Sequence, residues 1–179
     1  MRNIFILLVV IMINVQLGYS QESSVYDSYV GTWKWEDNKN NSEFVIILKK
    51  GIADWTKFNA GIVDCIIGAY KYKKDGITVV DTFEQISEEK EYILYPIRIF
   101  GSKSHMRLSV ADYTIKNGYG YTKQMGGSSN IKLIGSIDGK TKMQWIIIDD
   151  DGGHVYLDAK EAFPKGCSLP TNIILTKVE

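Results

Sequence analysis

The chain has 179 residues, 45% of them hydrophobic, and its 21 basic residues balance its 21 acidic residues. A balanced charge provides no electrostatic attraction for nucleic acid or for an anionic membrane surface, so we expect neither as a partner. The length suits a single domain with its own hydrophobic core.

The first twenty residues are typical of a secretory signal peptide. Arg2 precedes the apolar run 4–13, and the small residues Gly18 and Ser20 follow it. This order of charged, apolar and small residues predicts cleavage after Ser20, with a buried strand or an uncleaved anchor as the alternative. The run is too short for a spanning helix, which needs about 20 apolar residues. We therefore expect export to the periplasm or the extracellular space, with no integral membrane segment in the mature protein.

For the remaining chain, the sequence predicts a polar, flexible lead-in over residues 21–28 and one domain over residues 29–179. About ten short runs of β-forming residues follow one another without a βαβ pattern, which predicts an all-β antiparallel barrel or sandwich. Two segments, 54–59 and 84–91, predict one or two short helical turns.

Three dipeptides predict tight hairpins in this domain. Asp75-Gly76, Asn117-Gly118 and Asp138-Gly139 each separate two β-forming runs. Both central residues of a type I′ turn need positive φ, which Asn, Asp and Gly tolerate best. We therefore expect each dipeptide to join two neighbouring antiparallel strands.

The stretch YVGTWKW, residues 29–35, places Gly31, Trp33 and Trp35 on one face of a strand. Gly31 leaves room beside an indole, so Trp33 can close one end of a barrel. The stretch resembles the first strand of lipocalins and fatty-acid-binding proteins, whose Gly-x-Trp lies at the closed end of an up-and-down barrel. The resemblance implies a lipocalin-like (calycin-like) barrel in which a late basic residue packs over the Trp. Lys177 is the basic candidate for that position.

A second resemblance covers more of the chain. The stretches GTWKWEDNKNNSEFVIILKK (31–50), DCIIGAYKYKKDG (64–76) and LPTNIILTK (169–177) resemble a group of small exported Bacteroidetes proteins that share a domain of unknown function. The resemblance implies a secreted or envelope location and no particular activity.

Strand alternation directs a set of aromatic side chains toward the interior of the predicted barrel. An aromatic-lined interior suits a small apolar or aromatic ligand, held by one or two Tyr hydroxyls. Periodicity leaves open whether these side chains instead fill the barrel completely. The predicted ligand-binding residues are Trp35, Tyr70, Tyr72, Tyr95, Tyr113 and Trp145.

Two functions follow from these alternatives. The first is an exported carrier or sensor of a small hydrophobic ligand. The second is a cell-envelope interaction module with a filled barrel. In the second case the strand 44–48, apolar on both faces, or an open strand edge meets a protein partner of unknown identity.

The two cysteines, Cys65 and Cys167, permit one disulfide in an oxidising compartment, with two reduced, buried thiols as the alternative. The sequence contains no nucleophile elbow, zinc-protease motif, phosphate-binding loop or dinucleotide fingerprint. Its two histidines, His105 and His154, form no recognisable catalytic pattern, and the acidic run 149–153 lacks the spacing of an EF-hand. We therefore predict no catalytic residue, no cofactor, no metal site and no enzymatic activity.

Overall fold

The computed structural model describes residues 25–87, 90–102, 105–149 and 162–178. Within these ranges the chain forms ten strands in one sheet, and the pairings between them are antiparallel. The all-β antiparallel prediction is confirmed. The strands are β1 (Gly31–Asp37), β2 (Ser42–Asp54), β3 (Ile62–Lys74), β4 (Ile77–Asp81), β5 (Ile97–Ser102), β6 (His105–Lys116), β7 (Thr122–Met125), β8 (Asn130–Ile137), β9 (Lys140–Ile146) and β10 (Asn172–Lys177).

Eight of the described strands form a closed ring of pairings, in the order β1, β2, β3, β5, β6, β8, β9 and β10. The ring closes where β10 pairs with β1, with Lys177 opposite Trp33. β4 lies beside β5 on the same edge of β3, and β7 lies beside β8 on the same edge of β6. Apart from the closing pair β1–β10, ring neighbours are consecutive along the chain or separated only by β4 or β7, so the ring has the strand order of a meander.

Two of the three predicted tight hairpins are confirmed. Asp75 and Gly76 have φ values of 52° and 78° between β3 and β4, and Asp138 and Gly139 have φ values of 52° and 73° between β8 and β9. Positive φ at both central residues is what a type I′ turn requires.

The Asn117-Gly118 prediction is wrong in turn type. β6 ends before Asn117, and β7 begins only at Thr122. The Asn117 side-chain oxygen accepts the N–H groups of Tyr119 and Tyr121, each at 3.0 Å, while the Asn117 N–H donates to the Tyr121 carbonyl. A side chain that bonds to the backbone just beyond it favours a longer loop over a two-residue turn.

Short 3₁₀ helices link some of the strands. The first spans Thr56–Phe58 and confirms the helical turn predicted over 54–59. The second spans Phe83–Ile86, at the start of the predicted segment 84–91, whose residues 88–89 lie outside the described ranges. The third spans Tyr92–Leu94.

The described part of the chain contains no helix long and apolar enough to cross a membrane. The predicted signal peptide, residues 1–20, lies outside the described ranges, as do residues 150–153 of the acidic run 149–153.

The main hydrophobic core lies inside the ring. Alternate residues of each strand point inward, as in Phe44, Ile46 and Leu48 of β2, which are at most 1% exposed. The largest fully buried side chains are Trp33, Trp145, Tyr70, Phe44, Ile46, Leu48, Ile66, Ile97, Ile99, Leu108, Met125 and Met143.

A second, smaller cluster lies on the outer face of β2 and β3. It contains Ala53, Cys65, Ile67 and Tyr95, with Trp55 and Tyr92 packed against it. The segment around the third 3₁₀ helix therefore covers part of the sheet from outside. This cover explains why Cys65, Ile66 and Ile67 of β3 are all buried although they alternate between the two faces of the sheet.

Candidate functional site

Three of the predicted ligand-binding residues lie inside the ring, around Phe44 on β2. The Phe44 ring centroid is 5.4 Å from that of Trp145, 5.8 Å from that of Tyr70 and 6.0 Å from that of Tyr72. Phe44, Tyr70 and Trp145 are fully buried, and Tyr72 is only 8% exposed. Tilted and edge-on aromatic contacts at these separations are favourable packing. These side chains therefore contact one another and form the centre of the core.

The polar side-chain atoms of Tyr70 and Trp145 are bonded within the protein. The Tyr70 hydroxyl donates to the Ala111 carbonyl at 2.5 Å and accepts the Tyr113 N–H at 3.3 Å, which links β3 to β6. The Trp145 Nε1–H donates to the Pro170 carbonyl at 3.1 Å. Burial raises the pKa of Tyr70, because the ionised phenolate would lose its hydration. These groups stabilise the ring itself.

The remaining predicted residues are dispersed. Trp35 and Tyr113 are half-buried at the margin of the central cluster, and the Tyr113 hydroxyl donates to Gln85 at 2.8 Å. Tyr95 does not point into the ring, as alternation predicted, but belongs to the outer cluster. The reason is that β5 begins only at Ile97, after Pro96, so the alternation of β5 does not extend back to Tyr95.

One end of the ring carries the residues that the lipocalin resemblance singled out. Trp33 is fully buried, and its Nε1–H donates to the Tyr29 carbonyl at 2.7 Å. The Lys177 Nζ lies 5.5 Å from the centroid of the Trp33 ring, within the range of a cation–π contact. Gly31 has a φ of 127°, a conformation that side-chain-bearing residues rarely adopt. Glycine is therefore needed here for its backbone as well as for its small size.

The opposite end of the ring is covered by residues 162–170, here called the strap. Asp112 of β6 is fully buried and accepts the Ser168 N–H at 2.9 Å and the Ser168 hydroxyl at 2.7 Å. It also accepts the N–H and the hydroxyl of Thr114, at 3.0 and 2.6 Å. Leu169 of the strap packs into the central cluster. These four donors satisfy a carboxylate that would otherwise be costly to bury.

A second charged residue holds the same strap. Lys123 is only 3% exposed, and its Nζ donates to the carbonyls of Pro164 and Gly166 at 3.0 and 2.9 Å. It also pairs with Asp149 Oδ1 at 2.5 Å, while Asp149 Oδ2 accepts the Gly166 N–H at 2.6 Å. Burial opposes the ionisation of Asp149, but the hydrogen bonds from Lys123 and Gly166 outweigh it and lower the pKa of this carboxyl.

A groove of about 250 Å³ lies on the outer surface, between the end of β2 and the third 3₁₀ helix. The rings of Trp55 and Tyr92 contact each other inside it, with centroids 5.9 Å apart and an interplanar angle of 69°. Charged residues of both signs surround the two rings. The groove is lined by Ile52, Asp54, Trp55, Lys57, Lys90, Glu91, Tyr92 and Ile93.

Exposed apolar residues surround this groove. Ile52 and Ile93 line it and are 64% and 52% exposed, and Leu94, next to Ile93, is 54% exposed. Ile62, 66% exposed, lies opposite Asp54 in the β2–β3 register. We call Ile52, Ile62, Ile93 and Leu94 the groove patch. A cluster of exposed aliphatic residues beside a concave site is typical of a binding surface.

The groove rests on an incompletely paired polar layer. Arg98 donates to the Ile93 carbonyl at 2.9 Å, to Ser109 at 2.5 Å and to Gln124 at 2.7 Å, so it fixes the third 3₁₀ helix to β6 and β7. The Arg98 Nε and the Tyr92 hydroxyl are buried without a hydrogen-bond partner in the described part of the chain. Burial raises the pKa of Tyr92, which keeps its hydroxyl protonated.

The predicted disulfide is wrong, because Cys65 and Cys167 are both free thiols. They lie in different parts of the core. Cys65 belongs to the outer cluster, whereas Cys167 packs against the cluster inside the ring and contacts the Leu169 carbonyl at 3.5 Å. The sheet therefore separates the two sulfurs, and each behaves as a small apolar side chain.

We expect both thiols to react slowly in the folded protein and fully after unfolding. Burial, with a smaller effect of Asp64, raises the pKa of Cys65 to about 12, and burial raises that of Cys167 to about 11. The reactive thiolate is therefore scarce at neutral pH. Alkylation without reductant, followed by mass spectrometry, should label both cysteines of the denatured protein. A denatured protein that takes up no label would carry the bridge after all.

His105 is exposed at the start of β6, and His154 lies outside the described ranges. Among the described residues there is no group of three or more His, Cys, Asp or Glu side chains placed to hold a metal ion.

A closed ring of antiparallel strands around an aromatic core, with a groove on its outer face, defines the chain as a small all-β protein. The chain belongs to the family of unknown function DUF6705, whose family model matches residues 1–178. No curated protein and no solved structure matches the chain. The resemblance to a domain of unknown function is thereby confirmed, and a functional assignment depends on the geometry of the sites.

Proposed function

We propose that the protein is an exported interaction module: a lipocalin-like up-and-down barrel with a filled interior that binds a protein partner on its outer surface. The observation that supports this best is the packing of Phe44, Tyr70 and Trp145, which are fully buried against one another. A carrier needs a cavity at this position, since ligand sites bury most of their ligand in a concave space. Side chains of the protein occupy that space here.

The barrel and its export rest on separate observations. The closed ring of pairings and the contact between Lys177 and Trp33 favour a lipocalin-like barrel. The charged, apolar and small-residue regions of residues 1–20 favour secretion. Together they favour a small domain that acts outside the cytoplasm.

The groove patch is the surface that we assign to the partner. Its aliphatic side chains border a groove whose interior contains the rings of Trp55 and Tyr92. Aromatic residues in a pocket, surrounded by polar residues, are typical of the centre of a protein–protein interface. The partner should insert an apolar side chain against the two rings and place charged groups near Lys57 and Glu91.

We expect Ile93→Asp to weaken partner binding by about tenfold or more, because a carboxylate at the centre of an apolar contact loses about 1.4 kcal/mol or more. The partner is first identified by cross-linking in intact cells, and its affinity for both forms is then measured by surface plasmon resonance. Ile174→Asp is the matched control, because Ile174 of β10 is 50% exposed and lies outside the groove.

Two results would contradict the proposal. If Ile93→Asp and Ile174→Asp bind the partner equally well, the groove patch is not the interface. If native mass spectrometry shows a small molecule that is absent from the denatured protein, the interior binds a ligand and the carrier function is favoured instead.

A further inference from the structure

Strand β2 extends past its neighbour β1 at the end of the ring that carries Trp33. β1 pairs with β2 only as far as Leu48, which lies opposite Gly31, whereas β2 continues to Asp54. On its other side β2 stays paired with β3 to the end, with Asp54 opposite Ile62. Among the described residues, no strand pairs with β2 on the β1 side beyond Leu48. The last residues of β2 therefore present a free strand edge.

The direction of the main-chain groups on this edge follows from a contact of β1. The Val178 N–H donates to the Thr32 carbonyl at 2.9 Å, so Thr32 directs its main chain toward the end of β10. Consecutive strand residues direct their main-chain groups to opposite edges, so Trp33 faces β2, where it lies opposite Ile46. The same alternation runs along β2, and every second residue after Ile46 faces the β1 side. Beyond Leu48 these residues are Lys50, Ile52 and Asp54.

This edge is open beyond Lys50. The Lys50 side chain forms an ion pair with Asp27, so the segment before β1 lies near the edge at that residue. Farther along, Ile52 is 64% exposed. Between Lys50 and Asp54 there is no proline and no charged residue, and the β2–β3 register has no bulge, so the usual protections of a strand edge are absent. The open stretch offers the N–H and C=O groups of Ile52 and Asp54 for pairing.

The groove runs along this open edge. Its lining includes Ile52 and Asp54 but not Ala53, which lies between them. Ala53 points to the outer face, where Trp55 and Tyr92 pack against its cluster, while Ile52 and Asp54 point to the opposite face. Because the groove contacts the two rings and also both residues of the opposite face, it spans the edge of the strand. The third 3₁₀ helix forms the far wall of the groove.

The geometry points to strand addition: an extended segment of the partner pairs with β2 through the main-chain groups of Ile52 and Asp54. Because the groove patch is the proposed partner surface, strand addition rests on that proposed function and specifies the conformation of the partner. In this mode of recognition, main-chain hydrogen bonds provide affinity and alternate side chains provide specificity. The segment should be about five residues long, and the side chains that face Trp55 and Tyr92 should be apolar.

The probe is a library of linear heptapeptides displayed on phage, selected on the wild-type protein and counter-selected on Ile93→Asp. Peptides that pass both steps bind at the groove patch, and the affinity of the best one is measured by surface plasmon resonance. Each peptide N–H is then methylated in turn. Strand addition predicts a loss of about tenfold at every second position, where the N–H donates to β2, and little change at the positions between.

Ile52→Pro tests the same pairing from the side of the protein. The change removes an N–H that faces the free edge and leaves the β2–β3 ladder intact, because this N–H does not face β3. We expect it to weaken the peptide by about tenfold or more. Ile52→Val keeps the N–H and a β-branched side chain, and it should lose much less. The methylation scan needs no variant, so it decides the question if Ile52→Pro does not fold.

The outcomes separate strand addition from the proposed function. If Ile93→Asp abolishes peptide binding but the methylation losses do not alternate, strand addition is overturned and the groove patch remains an interface. If every selected peptide binds Ile93→Asp as well as the wild type, the groove patch is not the site, and both proposals fail. A library that yields no peptide also overturns strand addition, because an open edge pairs with the main chain of many sequences.

Discussion

Replacement of Trp145 by Ala should lower the free energy of unfolding by about 3–5 kcal/mol. Trp145 is fully buried, packs edge-on against Phe44, and donates its indole N–H to the Pro170 carbonyl. Truncation removes this apolar contact and leaves a cavity. The neighbouring strands cannot move in to fill it, because the hydrogen bonds between paired strands fix the distance between them. Urea denaturation followed by circular dichroism measures the loss.

Trp55→Ala is the matched control, because Trp55 is only partly buried at the outer groove. It should cost clearly less stability than Trp145→Ala. A loss below about 1 kcal/mol for Trp145→Ala would mean that the interior is loosely filled, since well-packed large-to-small changes cost several times more. That result would favour the carrier function over the interaction module.

Asp112→Ala should destabilise the protein by about 2–4 kcal/mol, because each buried donor left without an acceptor costs about 1–3 kcal/mol. The change leaves the N–H of Ser168 and the N–H and hydroxyl of Thr114 without their shared acceptor. The strap should also loosen. Trypsin should therefore cut after Lys165, an exposed strap residue, faster than in the wild type.

The chain contains a second Asp that accepts two hydrogen bonds from the Thr two residues after it. Asp54 accepts the N–H and the hydroxyl of Thr56 at 2.9 and 2.6 Å, as Asp112 does with Thr114. Asp54 is exposed, however, and water can replace it. Asp54→Ala should leave stability nearly unchanged. Equal losses for the two variants would show that the local turn, and not the attachment of the strap, accounts for the effect.

The sequence correctly predicted structural features that depend on residues close together in the chain. The Asp75-Gly76 and Asp138-Gly139 turns follow from the φ values that their residues tolerate. The inward side of β1 and β3 follows from alternation, which placed Trp33 and Tyr70 correctly. These features need no knowledge of distant contacts.

Features that depend on distant contacts were missed. The groove brings Trp55 and Tyr92 together because the third 3₁₀ helix folds back over β2, and no local pattern indicates this. The disulfide prediction failed for a related reason, since Cys167 lies outside the strands and the sequence does not indicate on which side of the sheet it packs. The attachment of the strap was likewise not predicted, because nothing in the sequence distinguishes Asp112 and Lys123 from charged residues on the surface.

The pairing of β10 with β1 has a consequence for how the protein is made. During synthesis the first strand is available long before the last one, so the ring stays open until Asn172–Lys177 is made. Until then β1 has one edge without a neighbour, and unpaired edges promote association with other chains. Pairings between residues this distant in sequence also form slowly. The nascent chain is therefore most exposed to aggregation just before its last strand docks, when protection by a chaperone would matter most.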